Sequence, residues 1–189
     1  DQEYWARPIP GFGDPEARLL VLGLAPAAHG GNRTGRVFTG DRSGDWLYAA
    51  MHRAGFANQP TSTHREDGLE LWDAYVTAAV KCAPPDNQPS PEERDACALW
   101  MRRELAALPR LRAVLALGGF AWGQALRILR EAGHPVPAPL PRFGHGAEAR
   151  VGALTLIGSY HPSQQNTFTG RLTTEMLDAV FAAARRAIG

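Results

Sequence analysis

The sequence is short of cysteine, of net charge and of long apolar runs, and each shortage narrows the possible class of protein. Two cysteines among 189 residues cannot build a disulfide scaffold. A formal net charge of +1 is not that of a strongly basic nucleic-acid binder. No apolar run is long enough to cross a membrane, and no cationic-then-apolar leader opens the chain. We therefore expect a cytosolic protein that does not bind membranes.

Lysine is almost missing as well, since Lys81 is the only one and arginine supplies the other cationic side chains. Arginine suits phosphate and planar partners, but a GC-rich genome produces the same bias, so both explanations stay open. The chain length fits one domain with a sizeable core, and we predict a single domain over residues 1–189.

Apolar runs alternate with helical patterns along the chain. The alternation predicts an α/β fold with three layers, α/β/α, around a central four-stranded parallel sheet. The predicted strands are Leu19–Leu22, Tyr75–Val80, Ala113–Leu117 and Leu154–Gly158, and the predicted helices are Asp45–Ala54, Ser90–Leu108, Phe120–Ala132 and Leu172–Ala187.

The loops that follow these strands leave the sheet at its carboxyl edge, where open α/β sheets bind ligands. The first loop is glycine-rich but has neither GxGxxG nor GxxxxGK[ST], so the nucleotide-cofactor motifs do not apply. It carries Phe38, which Arg36 and Thr39 flank and which could stack on a flat base, and Asp41.

Polar side chains follow two further strands: Asn87 after the second, and His161, Ser163 and Asn166 after the fourth. Each has an ordinary explanation, because Asp41 could cap a helix, Asn87 could form a turn and His161 could be a loop histidine without chemistry. Their convergence at one edge favours a ligand site.

Three motifs in this order, GLAPAAHG (Gly23–Gly30), KCAPPDN (Lys81–Asn87) and HPSxxN (His161–Asn166), resemble the signature of the uracil-DNA glycosylase superfamily. The match is to its B-type, or family 5, branch of bacteria and archaea, and it covers nearly the whole chain. The resemblance implies a repair enzyme that flips uracil out of double-stranded DNA and hydrolyses the N-glycosidic bond. We also expect a monomer that does not bind membranes.

The same resemblance implies a role for each matching residue. Phe38 matches the aromatic residue that stacks on the flipped base, Asn87 the amide that reads the base edge, and His161 the donor aimed at the leaving base. The loop containing Gly23, Ala25 and Ala27 belongs to the base pocket. The residues expected to contact DNA are Ser163, Gln164, Asn166 and Arg171.

Two positions depart from the pattern of other branches. Ala25 stands where several branches place an Asp or Asn that positions water, and Asp41 is the matching polar candidate for that catalytic role. Ala27 stands where strict uracil enzymes place a bulky Tyr, so we expect a wider pocket that also admits hypoxanthine. The alternative is that Pro26 and the neighbouring loop fill the space.

The cysteines match a cofactor site of the family. Cys82 and Cys97 match two of the four cysteines that hold a structural 4Fe–4S cluster in the A- and B-type branches. Because the chain opens at Asp1 without an initiator methionine, we expect the other two cysteines in a preceding segment. The alternative is a pair of free thiols. A non-catalytic damaged-base-binding module and a nucleoside hydrolase are the rival functions.

Overall fold

The strands of the sheet form where apolar residues run without interruption, so that both faces of each strand can be buried. A computed structural model describes residues 4–189 and has one six-stranded sheet in the order β1-β3-β2-β4-β6-β5. The strands are β1 (Phe12–Gly13), β2 (Leu19–Gly23), β3 (Ala74–Ala78), β4 (Ala113–Leu117), β5 (Glu148–Val151) and β6 (Leu154–Ser159).

Helices connect and cover these strands. They are α1 (Gly31–Thr34), α2 (Arg42–Arg53), α3 (Pro91–Ala106), α4 (Gly119–Glu131), α5 (Gln164–Phe168) and α6 (Thr174–Ile188), with a 3₁₀ turn at Pro85–Asn87. The predicted start of α3 is confirmed, because Ser90 and Glu93 form a capping box ahead of Pro91. Across residues 4–189, none of the helices combines the length and apolar content that a bilayer span requires.

The predicted α/β class and its four parallel strands are confirmed, but the sheet has six strands rather than four. The two additional strands, β1 and β5, are antiparallel and lie at the edges. They escaped the sequence analysis because β1 has two residues, and β5 carries the exposed charges of Glu148 and Arg150, which suit an edge strand.

Two apolar layers cover the sheet, one on each face, as the three-layer prediction requires. Val21 and Leu115 point to the layer formed with α2 and α6, whose largest buried side chains include Tyr48 and Phe181. Leu22 points to the other layer, formed with α3 and α4 through Met101 and Trp122. Burial on both faces fixes the strand register and therefore the positions of the loops.

The register brings the ends of the parallel strands to one edge. Gly23 at the end of β2 lies opposite Ala78 of β3, and Leu117 of β4 lies opposite Ser159 of β6. The loops that carry the predicted site residues therefore leave the sheet side by side.

A buried ion pair anchors the loop between α1 and α2. The guanidinium of Arg36 donates to the carboxylate of Asp67 at 2.7 Å, and the two side chains are only 4% and 6% exposed. Arg36 also donates to Ser62 Oγ at 2.8 Å and to Thr39 Oγ1 at 3.0 Å. Burial alone would raise the pKa of Asp67, but hydrogen bonds from Arg36 and from the Thr63 and Leu69 amides outweigh it and hold that pKa well below its usual range.

Removing one partner of this pair should destabilise the protein strongly, because it leaves the other buried without its counter-charge. Asp67→Asn is expected to lower the free energy of unfolding by about 3–5 kcal/mol. The matched control is Asp178→Asn, which breaks the exposed pair with Arg53 at 2.7 Å and should lower it by no more than about 1 kcal/mol. Urea unfolding measures both values, and similar losses in the two variants would contradict a central role for the Arg36–Asp67 pair.

Candidate active site

A small pocket opens at the carboxyl edge of the sheet, where the ends of β2, β3 and β6 meet. The structure brings five of the predicted site residues together there: Phe38, Asp41, His161, Ala25 and Ala27. The full lining consists of Ala25, Pro26, Ala27, Val37, Phe38, Asp41, Ser43, Ala78 and His161.

Phe38 is held in an unusual backbone conformation, with φ of 50°, in the left-handed region that bulky residues rarely adopt. Two glycines make room for it. A Cβ on Gly23 would lie 2.6 Å from Phe38 Cζ, and a Cβ on Gly44 would collide with the Phe38 carbonyl. The Tyr48 hydroxyl donates to the neighbouring Val37 carbonyl at 3.0 Å and fixes the segment further. Such strain in a ligand pocket is typical of functional sites.

Arg36 does not share the site with Phe38. The sequence analysis noted Arg36 because it flanks Phe38, whose ring could stack on a flat base. The structure buries the Arg36 guanidinium against Asp67, and Arg36 is not among the residues that line the pocket.

His161 faces Phe38 across the pocket. Their ring centroids are 5.8 Å apart and the ring planes differ by 32°. Asn166 Nδ2 donates to the His161 carbonyl at 2.8 Å and holds the backbone at this point. Burial lowers the pKa of His161 to about 4, so the imidazole is neutral at physiological pH and has one N–H to donate.

Asp41 caps a helix and also lies at the pocket, and its catalytic role stays a prediction. Its Oδ1 accepts the Gly44 amide at 3.0 Å and caps α2, while the side chain also lines the pocket. Burial raises the pKa of Asp41, and hydrogen bonds from the Gly44 and Ser43 amides act in the opposite direction. A carboxylate that is fixed by backbone donors at a pocket wall suits the binding of water or of a developing positive charge.

Asn87 lies outside this pocket lining. It is exposed on the 3₁₀ turn after β3, and both Asp86 and Asn87 have positive φ, 51° and 54°. Asp and Asn tolerate the left-handed region better than other non-glycine residues, so this pair marks a tight turn. The base-reading role of Asn87 stays a prediction.

The residues predicted to contact DNA divide into two groups. Ser163 and Asn166 are engaged within the loop, because Ser163 Oγ caps α5 by accepting the Asn166 amide at 3.3 Å. Gln164 and Arg171 are exposed, and the guanidinium of Arg171 lies 4.7 Å from the centre of the Tyr160 ring.

Sequence reasoning did not place Val37, Ser43 and Ala78 in the pocket, yet all three line it. It also missed an aromatic contact of Arg42, whose guanidinium lies 4.2 Å from the ring centre of the 64% exposed Phe168 and 5.9 Å from that of Trp46. The five-residue helix α5 was not predicted because so short a segment has no readable periodicity.

The two cysteines are neighbours in space, Cys82 in the loop after β3 and Cys97 on α3. Cys97 Sγ accepts the Lys81 amide at 3.3 Å, and burial, followed by the nearby Cys97, raises the pKa of the exposed Cys82 thiol. Residues 4–189 contain no group of three or more metal-ligating side chains. A 4Fe–4S cluster needs four thiolates, so the donors present fit half of such a site.

Comparison with known proteins agrees with this geometry. The family model of the uracil-DNA glycosylase superfamily matches residues 10–185. The type-5 uracil-DNA glycosylase of Mycobacterium tuberculosis is 56% identical over 191 residues, which cover 100% of this chain and 70% of the relative. The type-5 uracil-DNA glycosylase of Thermus thermophilus is 52% identical over 191 residues, with coverage of 100% and 84%.

A more distant relative is the type-4 uracil-DNA glycosylase of Thermotoga maritima, which is 28% identical over 160 residues, or 82% of this chain and 69% of that protein. The resemblance seen in the sequence motifs is thereby confirmed. By the match of its whole length and by the residues that meet in its pocket, the chain belongs to the uracil-DNA glycosylase superfamily, in the type-5 branch.

Proposed function

We propose that this protein is a DNA repair glycosylase that removes uracil from double-stranded DNA and leaves an abasic site. The observation that carries the proposal is the pocket in which a neutral histidine, His161, faces an aromatic ring, Phe38, with the carboxyl group of Asp41 in the same lining. We further propose that it acts as a monomer, in the cytoplasm and on chromosomal DNA.

Access to the glycosidic bond requires that the nucleotide leave the base stack, because C1′ is unreachable inside a duplex. Phe38, fixed by Gly23 and Gly44, offers a flat surface for the extruded base, and base–aromatic stacking contributes about 1–3 kcal/mol per base. Asn87 would read the base edge, since a side-chain amide meets both an N–H and a carbonyl.

Cleavage of the bond between C1′ and the base leaves the bonding electrons on the base and a positive charge on the sugar. Negative charge builds on O2 of uracil, where the N–H of neutral His161 donates a hydrogen bond. The Asp41 carboxylate would stabilise the cationic sugar and orient a water molecule. That water adds its oxygen to C1′ and releases a proton, so the products are an abasic sugar and free uracil.

The surface around the pocket supports duplex binding. Gln164 and Arg171 are exposed beside the His161 loop, and Arg42 and Phe168 lie at the end of α5. Ser163 and Asn166 shape this loop rather than projecting from it. We therefore assign the DNA contacts mainly to Gln164 and Arg171, with Ser163 and Asn166 holding the loop for the minor groove.

His161→Ala should separate catalysis from binding. Because the His161 donor acts on charge that exists only in the transition state, its loss is expected to lower the single-turnover rate of uracil excision about 10²–10³-fold. Affinity for a duplex with non-hydrolysable 2′-fluorodeoxyuridine should stay nearly unchanged. In the parent, the His161 ring should titrate by NMR with a pKa of about 4 rather than near the ordinary value of 6.5.

The matched control is His52→Ala, which removes an exposed histidine at the far end of α2 and should leave excision unchanged. A parent that binds the uracil duplex but generates no abasic sites would identify the protein as a damaged-base-binding module instead. Equal losses of affinity and rate in His161→Ala would make His161 a DNA-positioning residue.

The small side chain at position 27 supports a substrate range that extends to hypoxanthine. Ala25 and Ala27 both line the pocket, and Pro26 between them is buried against it. Because both alanine side chains are single methyl groups, neither closes that side of the pocket. Hypoxanthine still offers a carbonyl and an N–H, so the same amide of Asn87 can read it.

Ala27→Tyr should convert a broad pocket into a strict one. Because a pocket discriminates by about 1–3 kcal/mol per methylene, an added ring is expected to lower excision of hypoxanthine relative to uracil by at least about tenfold. Ala28→Tyr is the matched control, since Ala28 is exposed outside the lining. Single-turnover rates on the two substrates measure the ratio, and a parent that ignores hypoxanthine would refute the broad range.

Cys82 and Cys97 are proposed as two of the four ligands of a structural 4Fe–4S cluster. Their proximity on adjoining elements and the Lys81 N–H donated to Cys97 Sγ support this assignment. The other two thiolates must come from outside residues 1–189, which contain no other cysteine. The role of such a cluster would be structural, because hydrolysis involves no electron transfer. It would cross-link segments of the chain.

Protein expressed anaerobically from its complete gene should be brown, with about four irons per chain and broad visible absorbance. Cys82→Ser and Cys97→Ser should each bleach it, because a thiolate ligand is lost. Iron analysis and visible spectra provide the measurement. A colourless, iron-free parent would remove the cluster from the proposal.

A further inference from the structure

The segment before β5 runs alongside the end of β6, immediately ahead of the catalytic loop. The Gly146 amide donates to the Gly158 carbonyl at 2.8 Å, and the Gly158 amide donates to the Ala147 carbonyl at 2.8 Å. A Cβ on Gly158 would lie 2.5 Å from the Gly144 carbonyl oxygen, so only glycine allows this close approach. The segment therefore has a fixed position relative to the point where the chain leaves the sheet.

His145 projects from this segment onto Tyr160, the residue before His161. Its Nδ1 accepts the Tyr160 backbone N–H at 3.2 Å, and its ring lies 5.1 Å from the Tyr160 ring at an angle of 32°. Phe143 contacts the same tyrosine edge-on at 6.4 Å, and Arg171 stacks on it at 4.7 Å. Tyr160 is thus fixed through both its backbone and its ring.

The protonation state of His145 suits the acceptor role. Burial lowers the pKa of His145, and the Met176 backbone acts in the opposite direction. A neutral imidazole that accepts at Nδ1 carries its hydrogen on Nε2. His145 therefore meets the backbone of the catalytic loop as a hydrogen-bond acceptor.

The other hydrogen bonds that restrain this loop do not involve the Tyr160 amide, whose partner is His145. The Gly118 amide donates to the Ser159 carbonyl at 2.8 Å, Ser159 Oγ donates to the Tyr160 carbonyl at 2.9 Å, and Asn166 holds the His161 carbonyl. Without the Nδ1 acceptor, the N–H of Tyr160 would lose its protein partner one peptide away from the catalytic side chain. A misplacement of about 1 Å at a reacting group can lower a rate about 10²-fold.

We propose that His145 is a positioning residue of the glycosylase reaction, whose Nδ1 fixes the Tyr160 amide and thereby the direction of the His161 ring. This inference rests on the proposed excision of uracil, in which His161 touches the leaving base. His145 itself acts through Tyr160 and is not assigned a contact with DNA.

Two substitutions separate the acceptor from the ring. His145→Asn places an amide oxygen at the position of Nδ1 but removes the ring, whereas His145→Phe keeps a flat ring and removes the acceptor. If the acceptor matters, His145→Phe should lower the single-turnover rate about ten- to a hundredfold, with affinity for the 2′-fluorodeoxyuridine duplex within about twofold of the parent. His145→Asn should recover most of the rate even though it packs less well.

Amide hydrogen exchange at Tyr160 gives a readout that needs no substrate. The amide should exchange slowly in the parent and in His145→Asn, and at least tenfold faster in His145→Phe, while the urea midpoint serves as the check on folding. A His145→Phe variant with parental rate and exchange would overturn the proposal, as would an Asn variant no better than the Phe variant in both. A parent that does not excise uracil would refute the proposed function alone, because the exchange comparison would still test the contact.

Discussion

The Arg36–Asp67 ion pair is the interaction on which the Phe38 side of the pocket depends. It connects two loops 31 residues apart, neither of which belongs to the sheet, and both side chains are almost fully buried. Buried charges are tolerated only when they are paired and hydrogen-bonded, and here Ser62 and Thr39 complete the set of partners. The strained φ of Phe38 persists because this anchor on one side, and the cap of α2 on the other, leave its backbone no alternative.

The His161 side of the pocket is built differently. Here the chain that leaves β6 is restrained through its backbone. Gly118, Asn166 and His145 each form a hydrogen bond with it. On both sides of the pocket, contacts within the protein fix the side chains before any substrate binds. A neutral imidazole facing an aromatic ring adds no formal charge to the pocket. In the proposed reaction its hydrogen bond would therefore gain most of its strength when charge develops on the leaving base.

The local pattern of apolar residues was enough to predict the four central strands. An uninterrupted apolar run such as Ala113–Leu117, in a chain where strands and helices alternate, is best explained as a buried strand. The capping box before α3 was equally readable. The edge strands and α5 were too short or too polar to carry a period. Phe38, Asp41 and His161 were found through motif and topology, but the role of Arg36 was not, since its partner Asp67 is distant in sequence. Ser43 was missed for the opposite reason, because its position in the first turn of α2 explained it without a ligand.

The net charge of +1 is low for a protein proposed to bind polyanionic DNA. The positions of individual arginines near the pocket offset this. Arg171 lies over Tyr160 and Arg42 lies over Phe168, so two guanidinium groups beside the catalytic loop are stacked on aromatic rings. Stacking restricts the rotamers of a flexible cation, which would lower the entropy lost on binding phosphate. Arg42 Nε also donates to Thr167 Oγ1 at 3.0 Å, which orients the rest of its guanidinium. In the proposed complex with DNA, a few oriented cations and a stacked base would give an affinity that depends less on counterion release than a broad basic surface would. The excess of arginine over lysine then has a physical use at this surface, whatever its origin in base composition, because an ammonium group cannot stack in this way.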